Sequence, residues 1–422
     1  MLNTHLSAHE RYDKLARLLR PWSLCWGQSV LHHWPSCRDA LPEDWWQGLM
    51  SWSLADMHRL DDAIAGAQLI PDNLILPPGL QRFMEALQPL LAFPQFSDAE
   101  RMSEKKNLHM TAKKQHEIGA LLPFLKRQKE ALGIERAVDI GGGVGHLART
   151  LVTTLDIPMV TIDRDEALQK EGRSLLHKLK LKDIPLEFVA GTMEPGPQHE
   201  LDPHFQGACL SLGLHTCGPL AWTHLKKSQA SRAVLNFGCC YDRMDVERDC
   251  QQSAWARKHP VPLTSFALFL ATRGRRRSLQ ELAMQEKVNT YRLALHLFLQ
   301  EEGHADGFRA VGDASRATYD LGFTAYAADR FRFLGLDCSS HRAQAFISRP
   351  DVQRSMREFF VINVVRNVFA RPLEVILLLD RVLWMEEQGH AVELLAFFDH
   401  SLSPRNLGLF AEIKNSSASQ PS

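Results

Sequence analysis

The 422-residue sequence lacks several features that would settle its class immediately. Its eight cysteines include no Cys-x-x-Cys pair, and its charge is balanced, since Lys plus Arg and Asp plus Glu each total 49. Scattered cysteines in a chain of this size predict reduced thiols rather than a disulfide framework. Balanced charge produces no global attraction to polyanions, so any nucleic acid would have to be bound by a local basic patch.

Long apolar runs are also absent. The run VILLLDRVLWM at 375–385 is interrupted by charged residues, well short of the ~18 apolar residues that a membrane span needs. The first residues, MLNTHLSAHERYDK, carry early charges and no apolar core of the kind found in secretory signals. We therefore expect no membrane partner and a cytoplasmic location.

The middle and the end of the chain alternate between apolar runs and helical patterns. Strands alternating with helices predict a parallel sheet covered on both faces, which is a doubly wound, Rossmann-like α/β fold. A long helix around 352–388 precedes the last two strands, which predict an antiparallel pair closing a seven-stranded sheet. The predicted strands are 136–140, 158–163, 186–191, 207–215, 232–240, 391–399 and 405–413.

The remaining segments predict the domain organisation. Residues 1–98 read as a helical N-terminal domain, whose tryptophans at 22–52 either pack a core or form an aromatic platform for bases. Residues 99–413 would form the sheet domain, with a charged helical insertion at about 242–350 between the fifth and sixth strands. The small polar residues at 414–422 predict a disordered tail.

Four glycines lie within DIGGGVGHL, directly after the first predicted strand. A dinucleotide fingerprint fails because its third glycine position is His146, and a P-loop fails because no lysine follows Gly145. What remains is acidic-x-Gly-x-Gly-x-Gly, made by Asp139, Gly141, Gly143 and Gly145. This spacing suits a ligand without a pyrophosphate.

Two later residues complete a nucleoside-binding pattern. Asp163 ends the second strand, where an acidic residue would accept both ribose hydroxyls. Met193, in AGTME after the third strand, could flank an adenine. Together with the closing strand pair, this predicts a class I methyltransferase that binds S-adenosyl-L-methionine.

The chemistry should lie beyond the carboxyl ends of the parallel strands. His215 follows the fourth strand and is a candidate general base or a structural histidine. Tyr241 follows the fifth strand and is a second candidate catalytic residue, so that the nucleophile would enter between the two. Cys217, Cys239 and Cys240 lie in the same two segments. Their spacing does not match the paired ligands of structural zinc sites, so we predict no metal and interpret them as small thiols in tight sheet positions.

Five sequence blocks, in chain order, resemble a single methyltransferase-like family. Its members are named methyltransferase-like protein twenty-five or ribosomal-RNA adenine dimethylase domain-containing protein. Two of these blocks are also similar to the transfer-RNA 2′-O-methyltransferases of the acceptor stem. The resemblance implies an S-adenosylmethionine-dependent enzyme in which Lys114, His116 and Glu117 lie on a helix over the cofactor, with Lys114 and His116 as candidate catalytic residues. The blocks are KKQHEI at 113–118, VDIGGGVGHLAR at 138–149, LHTCGPLA at 214–221, CCY at 239–241 and FDHSLSPRNLGL at 398–409.

The substrate prediction is RNA, methylated at a ribose hydroxyl. HTCG stands where adenine amino-methylating enzymes carry an Asn/Asp-Pro-Pro-Tyr-like tetrapeptide, so adenine dimethylation is not expected, and neither is DNA. The alternatives are a protein or small-molecule methyltransferase and a non-catalytic scaffold that binds cofactor. The RNA hypothesis depends on a local basic surface, which could be formed by Lys105, Lys106, Lys113, Lys114 and the run RGRRR at 273–277.

Overall fold

A computed structural model describes residues 6–66, 74–96, 110–274 and 276–414. The chain divides into two compact units, each built from separate stretches of sequence. The sheet unit combines residues 1–16, 91–274 and 373–422, and the helical unit combines 17–90 and 275–372. The predicted boundaries at 1–98 and 99–413 stay a prediction, and the predicted tail beyond residue 414 lies outside the described residues.

The sheet unit contains a seven-stranded sheet, which confirms the predicted α/β fold. The strand order is β3-β2-β1-β4-β5-β7-β6, parallel from β3 to β5 and antiparallel from β5 through β7 to β6. Every residue of β5 is buried, as expected for a strand covered on both faces. The strands are β1 (Arg136–Ile140), β2 (Met159–Asp163), β3 (Leu186–Ala190), β4 (Cys209–Cys217), β5 (Ala233–Cys239), β6 (Ala391–Ala396) and β7 (Leu407–Glu412).

Helices precede the sheet, alternate with its strands and fill the predicted insertion. Within the described chain, none of them is both long and apolar enough to cross a membrane. In chain order they are α1 (Ala8–Leu19), α2 (Ser23–Trp26), α3 (Ser36–Asp39), α4 (Glu43–Trp46), α5 (Leu54–Gly66), α6 (Pro78–Leu91), α7 (Ala112–Leu132), α8 (His146–Leu155), α9 (Glu166–Lys178), α10 (Leu220–Lys227), α11 (Val246–Asp249), α12 (Ala254–Lys258), α13 (Ser265–Ala271), α14 (Leu279–Glu301), α15 (Arg316–Asp320), α16 (Phe323–Phe333), α17 (Ser340–Ile347), α18 (Pro350–Val365) and α19 (Ala370–Glu387).

The core of the sheet unit lies between the sheet and the helices α7 and α8. Ile118 and Leu121 of α7, with Leu151 of α8, pack in one apolar cluster with Leu212 of β4 and Phe237 of β5. The chain runs outward through β1, β2 and β3, then returns to place β4 on the other side of β1. This reversal creates the topological switch at which doubly wound sheets bind ligands.

The helical unit has an apolar core of its own. Phe298 of α14, Phe331 of α16 and Phe346 of α17 belong to one buried cluster. Among the tryptophans of the first segment, Trp26 and Trp45 are buried, and the Trp45 ring stacks on Phe369 at 6.3 Å between centroids. Their burial favours packing over a platform for bases.

The long helix predicted at 352–388 is interrupted. A single 3-10 turn at Arg366–Phe369 separates α18 from α19. Pro372 lies in the first turn of α19, where its missing N–H costs nothing. If one α-helix continued through this segment, the ring of Pro372 would clash with the carbonyl of Val368, four residues earlier. The chain instead forms the 3-10 turn and begins a new α-helix at Ala370.

Candidate cofactor-binding and active site

The glycine turn after β1 requires glycine for two different reasons. Gly143 and Gly145 have φ angles of +57° and +70°, in the left-handed region that side chains rarely adopt. A Cβ at Gly145 would also lie 2.9 Å from the ring of Phe188, and one at Gly142 would collide with Thr161. The sequence pattern identified Gly143 and Gly145, whereas Gly142 becomes essential only through packing.

Asp163 is fixed by the turn that it faces. Gly143 donates its backbone N–H to Oδ2 of Asp163 at 2.9 Å, and Asp165 donates its own to Oδ1 at 2.9 Å. The side-chain amide of Gln169 donates to the Gly143 carbonyl at 2.7 Å. A carboxylate can accept about four hydrogen bonds, so Asp163 is oriented and still has acceptor capacity.

Asp139 lies beneath the turn rather than in the cleft described next. Its side chain is buried, and Oδ2 has no hydrogen-bond partner among the described residues. Burial, with a smaller effect of the negative charge of Asp163, raises the pKa of Asp139 to about 7, while the charge of Lys114 opposes the rise. Asp139 does not line that cleft, and its role in binding the cofactor stays a prediction.

A cleft of about 710 Å³ opens beyond the carboxyl ends of β1 to β4. This volume is within the range of cofactor and small-molecule sites. Three predicted cofactor residues, Gly141, Asp163 and Met193, line it. Further lining residues that the sequence interpretation did not single out are Ile140, Ile162, Arg164, Trp222, Thr223, Lys226, Arg243, Arg248 and Asp249.

His215 also lines this cleft, and its neighbours fix its orientation. Its Nε2 lies 3.2 Å from Oε2 of Glu117, a carboxylate that is 1% exposed. Ser403 donates its hydroxyl to Oε1 of Glu117 at 2.7 Å, and Nζ of Lys113 lies 3.6 Å from the same oxygen. Burial alone would raise the pKa of Glu117, but the hydrogen bonds and charges of these neighbours lower it from 4.5 to about 2.

An irregularity in β4 accounts for the exposure of His215. The pairing of β4 with β5 shifts register between Gly213 and Thr216, and such bulges commonly redirect a side chain beside an active site. Beneath the bulge, His224 contacts Ser211 at 2.7 Å and Asn236 at 2.9 Å. Burial lowers the pKa of His224 to about 3, so this second histidine stays neutral and structural.

Three thiols gather next to His215. Cys217 lines the cleft, and its Sγ lies 3.2 Å from Sγ of Cys239. The Sγ atoms of these two residues and of Cys240 all lie within 4.8 Å of one another. The hydrogen bond from Cys239 lowers the pKa of Cys217 to about 6, against the effect of burial and with further help from Cys240, Arg243 and His215.

The structure does not bring Tyr241 to the cleft. Its side chain is fully buried, its hydroxyl lies 3.3 Å from the Gly238 carbonyl and 3.4 Å from Glu374, and its ring is flanked by the guanidinium groups of Arg381 and Arg405. Burial raises the pKa of the hydroxyl above its usual value. The 3-10 turn that begins at Tyr241 folds the ring into the core, a reversal that the sequence pattern did not reveal.

The predicted catalytic helix contributes a different residue from those expected. His116 accepts a hydrogen bond from the backbone N–H of Asp399 at 3.2 Å, and neither His116 nor Lys114 lines the cleft. Glu117 contacts His215 instead. Glu117 could have been noticed in the sequence because it precedes Leu121 by one helical turn and therefore lies on the buried face of α7. A buried carboxylate needs a hydrogen-bond or charge partner, so its position predicts one.

The predicted basic surface is largely neutralised where the structure describes it. Nε of Arg276 lies 3.4 Å from Oδ1 of Asp62, and the guanidinium of Arg277 forms an ion pair with the buried carboxylate of Asp61. Lys105, Lys106 and Arg275 lie outside the described residues. Positive charge is present at the cleft instead, on the exposed side chains of Arg164, Lys226 and Arg243.

Comparison with known proteins agrees with this geometry. A family described as a methyltransferase domain matches residues 113–247, which include Glu117, the glycine turn and His215. Probable methyltransferase-like protein 25 of Mus musculus is 26% identical over 268 residues, covering 58% of this chain and 44% of that protein. The Homo sapiens protein of the same name is 27% identical over 261 residues, covering 57% and 43%.

These matches support a methyltransferase. The chain spans less than half the length of the curated relatives it matches. The likeness to ribosomal-RNA adenine dimethylases and to transfer-RNA 2′-O-methyltransferases remains a prediction from the sequence blocks.

Proposed function

We propose that this protein is a methyltransferase that uses S-adenosyl-L-methionine. One observation carries the proposal: the glycine turn after β1 and the carboxylate of Asp163 meet at a cleft beyond the parallel strands. The remaining acceptor capacity of Asp163 fits two ribose hydroxyls. Ile162 and Met193 offer apolar surface to an adenine in the same cleft.

When bound, the cofactor supplies an electrophilic methyl group on a sulfonium, so the protein must align a nucleophile and accept its proton. Ionised Glu117 can only accept a hydrogen bond, which assigns the proton to Nε2 of His215 and the lone pair to Nδ1. Within the described chain, Nδ1 has no hydrogen-bond partner. His215 is thus the candidate catalytic base, and Glu117 is a positioning residue that orients the ring through its hydrogen bond with Nε2.

We further propose an RNA substrate that is methylated at a ribose hydroxyl. The support is the group of three exposed cations at the cleft, Arg164, Lys226 and Arg243. None of the three forms an ion pair with another described residue, so their charge is available to phosphates. A protein or small-molecule substrate, or cofactor binding without transfer, are the alternatives that the experiments must distinguish.

The cofactor proposal is tested with Asp163→Asn and the matched control Asp165→Asn. Asp163→Asn should weaken S-adenosylmethionine binding by about 10–100-fold, the effect of one lost hydrogen bond to a charged group. Asp165 caps α9, and asparagine is an equally good cap, so the control should bind normally. Equal affinity of both variants in calorimetry, or tight binding of NAD, would refute the proposal.

The substrate proposal is tested by incubation with methyl-labelled cofactor and fractionated RNA and protein. Label that ribonuclease releases supports RNA, whereas label that only protease releases supports the alternative. Lys226→Gln and Arg243→Gln should each lower the salt slope of RNA binding by about 1. The exposed Lys182, which does not line the cleft, provides the control Lys182→Gln.

A further inference from the structure

The three thiols at the ends of β4 and β5 form a compact set of potential metal ligands. Cys217 ends β4, Cys239 ends β5, and the two are direct partners in the parallel register. Cys240 follows immediately, and all three Sγ atoms lie within 4.8 Å of one another. In a tetrahedral zinc site, Zn–S bonds of about 2.3 Å place neighbouring sulfurs roughly 3.8 Å apart. Small side-chain movements would therefore suffice to surround one ion.

The backbone brings neighbouring cysteines to the same side. Successive side chains of a strand point to opposite faces, so Cys239 and Cys240 could not both reach Cys217 in regular β conformation. Cys240 instead has a φ angle of +49°, in the left-handed region that a non-glycine residue rarely adopts. This conformation is maintained at an energetic cost, and its consequence is that three sulfurs meet.

The surroundings suit a charged metal–thiolate group with an accessible position. Cys217 and Arg243 both line the cleft. Three thiolates with one divalent ion carry a net negative charge, which the guanidinium of Arg243 would offset in part while it still faces the cleft. Three protein ligands also leave the fourth coordination position open, as in catalytic rather than structural zinc sites.

We propose that Cys217, Cys239 and Cys240 bind one Zn²⁺ ion, with the fourth position open to the cleft. Thiolate ligands select thiophilic ions such as Zn²⁺ over the harder Mg²⁺ and Ca²⁺. The sequence prediction of no metal relied on the absence of paired Cys-x-x-Cys ligands. That criterion describes sites made within one loop, whereas this set is assembled across two parallel strands by their register. The proposal does not depend on the identity of the methyl acceptor.

The experiment uses the full chain, purified with a reductant, stripped of metal and titrated with Zn²⁺ against a chromophoric chelator. We expect one Zn²⁺ per chain and, with Co²⁺ in its place, a sulfur-to-cobalt charge-transfer band. Cys217→Ser or Cys239→Ser should weaken Zn²⁺ binding by more than the ~10–100-fold that loss of an outer-shell partner costs. Cys338→Ser, which removes a thiol outside the cluster, is the control.

Cys240→Gly guards against variants that fail to fold. Glycine adopts the left-handed conformation freely, so this variant should be at least as stable as the metal-free wild type and yet fail to bind the ion. The proposal is overturned if the reduced wild type binds no Zn²⁺, binds only Cu⁺, or if the triple serine variant binds Zn²⁺ as tightly as the wild type. Formation of a Cys217–Cys239 disulfide in place of metal binding would also contradict it.

Discussion

Replacing Glu117 by glutamine should remove a stabilising charge whose contribution depends on pH. Glutamine keeps the size of the side chain and can accept the hydroxyl hydrogen bond of Ser403, but it loses the negative charge next to His215. A drop in the carboxyl pKa from 4.5 to about 2 corresponds to about 3 kcal/mol of stability in the ionised state. At pH 6, Glu117→Gln should therefore unfold with a free energy lower by about 3 kcal/mol.

The sign of the pH dependence follows from the lowered pKa. The contribution of Glu117 is fully present above its unfolded-state pKa near 4.5 and is lost as the pH falls toward about 2. At the acidic end both variants carry an uncharged side chain of similar shape at position 117. The stability difference between wild type and Glu117→Gln should consequently shrink toward zero between pH 5 and pH 2.

Urea unfolding followed by circular dichroism at several pH values measures this difference. Comparing two variants cancels the other carboxylates, which titrate equally in both. Glu171→Gln, at an exposed position of α9, should show no comparable difference at any pH. A constant difference from pH 6 to pH 2, or no difference at pH 6, would refute the assignment of a buried ionised pair.

Three further predictions concern the glycine turn, the proposed catalytic base His215 and the buried Tyr241. Gly143→Asp should abolish S-adenosylmethionine binding in calorimetry by setting a second carboxylate beside Asp163. The left-handed φ of +57° should cost the aspartate about 1–2 kcal/mol of stability, but a Cβ there meets nothing closer than 3.8 Å, so the variant should still fold. Normal affinity would contradict the prediction. His215→Ala should keep cofactor affinity and lower turnover about 100-fold, as for a lost general base. Tyr241→Phe should turn over normally and lose about 1 kcal/mol of stability, since the buried hydroxyl only makes hydrogen bonds within the core. A turnover defect in Tyr241→Phe with normal His215→Ala would reverse these roles.

Much of the sheet could be predicted because its signals are local. Strands buried on both faces appear as continuous apolar runs, and the predicted fourth strand at 207–215 differs from β4 by two residues at each end. The glycine turn was also local, since left-handed φ angles and their spacing are imposed within a few residues. Pro372 can be read from the sequence, but the 3-10 turn at Arg366–Phe369 that precedes it could not be predicted from the proline alone. That turn follows from the clash between the proline ring and a carbonyl four residues earlier.

The surroundings of His215 could not be predicted because they depend on tertiary contacts. Glu117 meets His215 across 98 residues of sequence and Ser403 across 286. Tyr241 follows the correct strand, but one turn of 3-10 helix is enough to bury it. Knowing that a residue follows a strand therefore predicts that it lies near the site, but it does not predict whether its side chain faces the cleft.

The order of the strands has a consequence for how the protein is made. Of the seven described strands, β7 is the last to leave the ribosome, and it occupies an inner position between β5 and β6. In the sequence, β7 follows β5 by ~170 residues. Synthesis at 5–20 residues per second takes roughly 10–30 seconds to cover that distance. During that time the apolar β5 is the outermost strand available, and its unpaired backbone groups can template aggregation. We therefore expect a nascent chain of this protein to be most prone to aggregation before β7 pairs with β5 and closes the sheet.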